Sequence, residues 1–304
     1  MIAGADALVG GLDDLPSLPA VVMELLDSID AEDTDMALLA RKVSADGALT
    51  AKTLRLANSS AVGLQVRATT LQQAMTVLGF QATRNLVMAA ALTGCFPSGR
   101  CPSFDDKAFW RLSIATAACA RALARHVRFN GDVAFTAGLL HGIGRLVLAT
   151  RHPAGYDAAL RARARDDGDL LDAERALLGV DHVMAGVALA EHWRLADTIR
   201  QAIAFHRAPD TPGAGFLATI VHVAHAVAHA LDLAGNGKAR TKAENTARGK
   251  ADDEADTGKV NTDEAVPAVS SVAWTALGLA EENWLQVFRE TELQCEEMTA
   301  ILLE

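Results

Sequence analysis

Apolar residues recur at helical spacing through almost the whole chain, and no segment alternates them with the two-residue period of a strand. The stretch "LPAVVMELLDSI" (18–29), for example, sets Val21, Val22, Leu25, Leu26 and Ile29 on one face. Ala and Leu dominate, aromatics are few, and half the residues are hydrophobic. Ala and Leu are strong helix formers, whereas β-branched and aromatic residues favour strands. An all-α chain with a substantial core is therefore predicted. Its 304 residues suffice for one large or two medium domains.

Local signals punctuate the helices. "TDMALLARKVSADGALTAKTLRLANSS" (34–60) reads as two helices broken at Asp46-Gly47, where Asp caps the second. "TTLQQAMTVLGF" opens on the capping-box pattern Thr70-x-x-Gln73 and stops at Gly79, and "QATRNLVMAAALTG" is the next helix. Pro97, Gly99 and Pro102 mark a boundary between 97 and 104. Further helices are predicted for "DDKAFWRLSIATAACARALARHV", for "DVAFTAGLLHGIGRLVLATRHP", closed by Pro153, and for "LDAERALLGVDHVMAGVALAEHWRL", broken at Gly179. "DTIRQAIAFHRAP" and "GFLATIVHVAHAVAHALDLAG" follow.

Residues 235–271 hold almost no large apolar side chain and mix both charges. Such a segment buries too little surface to offset its ordering entropy, so it is expected to be a disordered insertion. Order should resume at Val272 and run through "ENWLQVFRETELQCEEMTAILLE". The expected organisation is one domain over 12–304. It has an N-terminal helical lobe (12–97), a second lobe (104–234), the insertion (235–271) and a C-terminal helical tail (272–304).

Charge narrows the function classes. A net charge of −10 makes a poor partner for nucleic acid, whose phosphates demand a basic footprint. The Asp46-Gly47 break vaguely suggests a helix-turn-helix with Lys52, Arg55 and Asn58 as readers. Residues 1–97 carry six Lys/Arg against ten Asp/Glu, however, and "RLANSS" is read as a packing element. Cys95, Cys101, Cys119 and Cys295 form no CxxC pair and read as reduced thiols. The start lacks a basic region followed by a long apolar run. The run Leu86–Phe96 is too short to span a bilayer. A cytoplasmic protein with no membrane partner is expected.

Within "GLLHGIGRLVL" (138–148), His141 sits in an apolar helical run, where a polar ring needs a reason. A packed core histidine satisfies that reading by itself. His182, His206 and His225 each fall in a separate later helix, and separate helices can converge on a bundle core to build a metal or cofactor site. His222, His225 and His229 share one helix face by their spacing, which suits either chelation or a half-buried seam.

Several of these stretches, in this order, resemble the HDOD family, the HD-related output domains. The N-terminal likeness rests on "LPSLP", "DGALTAKTLRLANSS" and "TTLQQAMTVLGFQATRNLV". "FWRLSIATA", "AFTAGLLHGIGRLVL", "HVMAGVALAEHW" and "IRQAIAFH" extend it, so that it covers about residues 12–234. The resemblance implies an all-helical relative of HD phosphohydrolases that serves as a bacterial signalling or regulatory module. HD enzymes use a first histidine, an adjacent His-Asp pair, further histidines and a late aspartate. By that likeness the first histidine falls at Leu112 and the pair at His141-Gly142. His182 and His206 match later histidines, Arg207 replaces the second of a His-His pair, and the late aspartate falls at His225.

Gly142 cannot neutralise a divalent ion or position an attacking water, and Leu112 offers no ligand. Mg²⁺ and Mn²⁺ favour oxygen and would find only imidazoles. No catalytic residue, metal or cofactor is therefore expected. His141, His182, His206 and His225 are then vestigial ligands, with a divalent transition metal on imidazoles as the alternative. Arg111, Arg145 and Arg207 flank the motif and could hold the phosphates of a nucleotide, or could be solvated arginines. The expected function is a non-catalytic regulatory module that binds a signalling protein and responds to a small ligand. A degenerate metal-dependent phosphohydrolase or phosphodiesterase, and a nucleotide sensor without turnover, are the two rivals.

Overall fold

The structure, a computed structural model, describes residues 22–24, 36–58, 67–96, 98–166, 169–231 and 269–303. Among them every element is a helix. Of the helix predicted over 18–29, only residues 22–24 are described, and they are helical.

α1 (Met36–Ser44) and α2 (Gly47–Ala57) part at the predicted break. The Asp46 carboxylate accepts the N–H groups of Ala48 and Leu49 at 2.8 and 3.1 Å, pairing two of the donors that a helix start leaves unpartnered. α3 (Leu71–Cys95) opens on the predicted capping box of Thr70 and Gln73. At Gly79, where one helix was expected to stop and the next to follow, the backbone leaves helical geometry with a φ of 75°, so two helical segments meet at a kink within α3. Arg55 donates to the Ile301 carbonyl at 3.2 Å, and Asn58 bonds both backbone groups of Ala68.

α4 (Asp106–His126) is buried along most of its length. It packs against α5 (Gly131–Leu140), α11 (Gly215–Ala230) and α13 (Glu281–Leu302). The segment expected as one helix through His141 is two: α5 ends at Leu140 and α6 (Ile143–Arg151) begins beyond Gly142. Glycine weakens a helix at this point, and the chain turns so that α6 can cross α9 (His182–His192). Residues Gly131–Arg151 are long and apolar enough to cross a membrane, but 94% of the most apolar window is buried.

α7 (Pro153–Asp166) and α8 (Leu170–Leu178) lead to the left-handed Gly179 and then to α9. α10 (Asp197–Phe205) and α12 (Ser271–Leu277) complete the set. Residues 235–268 of the expected insertion lie outside the described residues. Helix resumes at Ser271 under a Ser270 cap, slightly before the expected Val272, because the Ser270 hydroxyl accepts the Ala273 N–H.

The two lobes share one core. Buried Arg84 of α3 pairs with Asp132 of α5 at 3.5 Å. α13 packs on α4 and also touches α2 and α3, so the tail closes over the junction. All four cysteines are free thiols, and burial pushes Cys119 up to about 12.

Candidate functional site

Three helix ends and one helix middle bring the four predicted histidines together. His141 caps α5, and its Nδ1–H donates to the Gly138 carbonyl at 2.6 Å. His206 caps α10 in the same way, donating to the Ile203 carbonyl at 2.8 Å. A carbonyl only accepts, so each ring carries its proton on Nδ1 and its lone pair on Nε2. His182 opens α9, and its Nδ1–H donates to the Glu174 carboxylate at 2.7 Å. Asp181 holds that turn: it caps α9 through the Met184 N–H at 2.8 Å and pairs with Arg175 at 2.6 Å. His225 lies within α11.

The ring centroids of His141 stand 5.2 Å from His206 and 4.6 Å from His225. His182 lies 6.3 Å from His206. All four rings are buried. Burial first, and then the neighbouring His141 and His182, holds His206 well below the ordinary histidine range, so it is neutral in the fold.

Phe109, Leu112, Ser113, Gly142 and Arg145 complete the walls. The space they line is about 10 Å³, roughly one water. Phe109 closes it from the α4 side: a Cβ on Gly142 would meet Cε2 of that ring at 3.3 Å.

Of the three arginines that the sequence offers for phosphate binding or as solvated side chains, one reaches the histidine site. Arg145 alone of the three lines the site, with its Nε donating to the Tyr156 hydroxyl at 3.0 Å and its guanidinium over the Phe104 ring. Arg207 pairs with Asp169 at 3.4 Å. Arg111 lies one residue before Leu112 on α4, so its side chain leaves on another face. Of the α11 seam, His222 donates to the His206 carbonyl at 2.8 Å and accepts the Ser270 N–H at 3.0 Å. His229 bonds His225 at 3.1 Å.

Glu174 was not anticipated. It is fully buried, and besides the His182 ring it accepts the His182 backbone N–H at 2.8 Å. The signal was present: Leu170 and Leu178 lie four residues to either side, so a carboxylate stands on the apolar stripe of α8.

A divalent ion of the HD type does not fit this donor set. Among the described residues no carboxylate lines the space, and Glu174 meets the His182 ring at Nδ1, not at Nε2. The Nδ1-protonated rings have the tautomer that metal-ligating histidines adopt. Among the described residues, however, no three His, Cys, Asp or Glu side chains are disposed to hold an ion.

The profile of the HDOD domain matches residues 15–209. The chain belongs to the HDOD family. An HDOD domain protein of unknown function from Geobacter sulfurreducens shares the fold at a TM-score of 0.74 and 21% identity, over 100% of this chain and 97% of that one. A Shewanella amazonensis protein, provisionally named a phosphohydrolase, is 28% identical at a TM-score of 0.69, over 97% and 98% of the two chains. An uncharacterized protein of Treponema pallidum is 27% identical over 210 residues; the match takes in 66% of this chain and 39% of that protein. The HDOD match ends before α11 and the C-terminal helices, although these pack into the same core.

Proposed function

We propose that this HDOD protein is a regulatory module that does not hydrolyse phosphate esters and acts by contact with another signalling protein. The observation that carries the first half is Gly142 beneath Phe109. Where the likeness to HD enzymes calls for a metal-binding carboxylate, there is no side chain, and an aromatic ring takes up the adjoining space. Hydrolysis of a phosphate ester at neutral pH needs a nucleophilic water and a counter-charge for the phosphate oxygens. Imidazoles without a carboxylate, around space for one water, supply neither to Mg²⁺ or Mn²⁺.

Support for the second half is the kinship with signalling modules together with surface chemistry. Val272, Trp274, Leu285 and Leu293 are exposed on α12 and α13, placing apolar side chains where a partner could bury them. Fold alone does not fix function, so both halves are tested separately.

The full chain is incubated with Mg²⁺, Mn²⁺ and Zn²⁺ in turn, and turnover of nucleotides and cyclic dinucleotides is followed by chromatography. No turnover above buffer is expected. Metal-dependent turnover that His141→Ala abolishes overturns the non-catalytic reading. Saturable nucleotide binding, insensitive to chelator and weakened by Arg145→Ala, replaces it with a nucleotide sensor. Photo-crosslinking from position 285 in cells tests the contact. One recurrent signalling protein is expected, and its absence removes the second half.

A further inference from the structure

A second cavity, of about 210 Å³, lies between α2, α3, α4 and α13 and shares no residue with the histidine site. Drug-sized ligands occupy ~300–1,000 Å³, so this one suits a smaller metabolite. Leu56, Val77, Leu78, Ala82 and Met298 supply apolar walls. Asn85, Arg121, Gln294 and Glu297 bring polar groups to the same space.

Two of those groups are left unsatisfied. Asn85 is 3% exposed, and its buried Nδ2 has no hydrogen-bond partner among the described residues. The buried Oε1 of Glu297 has none either. A donor and an acceptor lining one cavity, both unpaired, carry a desolvation cost that a ligand can relieve. Burial also works against both charges here: it lowers the Arg121 guanidinium from its usual range and raises the Glu297 carboxyl. Arg125 adds to the first effect, while Asp132 and Glu290 oppose it.

A complementary ligand is small, carries one anionic and one cationic group, and has an apolar body. We propose that this cavity binds an apolar α-amino acid. Its carboxylate accepts from Arg121 and Asn85, its ammonium donates to Glu297, and its side chain packs on Leu56, Val77 and Met298. The assignment goes beyond the regulatory reading and stands without it. Where both hold, the amino acid is the signal, because it touches both lobes and the α13 tail that closes them.

Isothermal titration calorimetry on the full chain tests this with leucine, methionine and valine. The controls are 4-methylpentanoate, which lacks the ammonium, isopentylamine, which lacks the carboxylate, and glycine, which lacks the tail. One-site binding of leucine or methionine is expected, at least about tenfold weaker for each control, since each removes a charge-assisted or apolar contact. Glu297→Gln should weaken it at least about tenfold with the fold intact by circular dichroism, because its buried Oε1 has no hydrogen-bond partner among the described residues. Val77→Trp, at a 40% exposed rim position, should block binding while keeping every polar group. Equal affinity for 4-methylpentanoate overturns the zwitterion assignment. Silence from the whole panel at millimolar concentrations, or binding indifferent to both variants, overturns the site. None of these results bears on the phosphate-ester assays, so the two readings fail separately.

Discussion

Gly144 lies against the carbonyl of His182, so close that a Cβ on it would stand 1.8 Å from the oxygen and 2.5 Å from the Gly186 nitrogen. This contact is backbone on backbone, where α6 crosses α9. It fixes the distance between the His141 end of α6 and the His182 start of α9, and so sets the width of the histidine site.

Gly144→Ala is therefore expected to be among the most damaging single-methyl changes in the chain. Neither partner is a flexible side-chain end, so the helices must separate. A loss of about 3 kcal/mol or more in urea unfolding is expected, at the upper end of overpacking costs. Gly142→Ala is the internal control. Its Cβ meets only the Phe109 ring, at 3.3 Å, and its φ of −97° suits any residue. A cost of about 1 kcal/mol or less is expected there. Equal costs for the two would show that the crossing is not held as tightly as described.

Glu174 and His182 form the other fixed point. The carboxylate accepts two N–H groups from one residue, and both are buried. Glu174→Ala leaves both donors without an acceptor and is expected to cost about 3–5 kcal/mol, the range for breaking a buried pair from one side. Glu174→Gln keeps one oxygen and should cost less. The ring reports the difference: long-range ¹⁵N–¹H correlation should show His182 with its proton on Nδ1 in the parent. That proton should redistribute in Glu174→Gln. An Nε2-protonated ring in the parent would remove Glu174 from the site.

What the sequence made legible divides along the reach of each signal. The helices and their caps were readable because spacing and capping act within a few residues, as at Asp46 and at Thr70 with Gln73. Convergence of His141, His182, His206 and His225 was readable through the order of family motifs. The break after His141 was missed, since an apolar run with one glycine pair reads as continuous helix. Side-chain direction was not readable either: Arg207 turns to Asp169 and only Arg145 faces the site. Phe109 over Gly142, and the second cavity, depend on how α4 and α13 pack against distant helices. No local pattern encodes that.

Acid should unfold this protein earlier than its carboxylates alone require. His206 is neutral in the fold and held below its ordinary value by burial and by His141 and His182. In the unfolded chain it protonates near pH ~6.5. Below that pH the unfolded state binds a proton that the native state refuses, so stability falls as pH drops. It is whole above ~6.5 and declines toward the folded value, by at most about 1.4 kcal/mol per pH unit for one such proton. Urea midpoints measured between pH 7.5 and pH 5 should show the decline, since that window lies above the ~4 region of ordinary carboxylates. His206→Gln should flatten it. A flat parent profile would mean that the ring takes up its proton in place.

Restoring the lost carboxylate tests how the site came to differ from that of an HD enzyme. Gly142→Asp alone places the new side chain against Phe109, whose Cε2 is already 3.3 Å from the Cβ position. Little divalent-ion binding is expected from it. Phe109→Ala together with Gly142→Asp removes the obstructing ring and puts one carboxylate beside His141, His182 and His206, whose Nε2 atoms have the ligand tautomer. Mn²⁺ titration followed by electron paramagnetic resonance should then show at least about tenfold tighter uptake in the double variant than in either single one, a coupling of about 1.4 kcal/mol or more. If Gly142→Asp alone binds Mn²⁺ as well as the double variant, Phe109 is no barrier, and only the missing carboxylate separates this site from a metal centre.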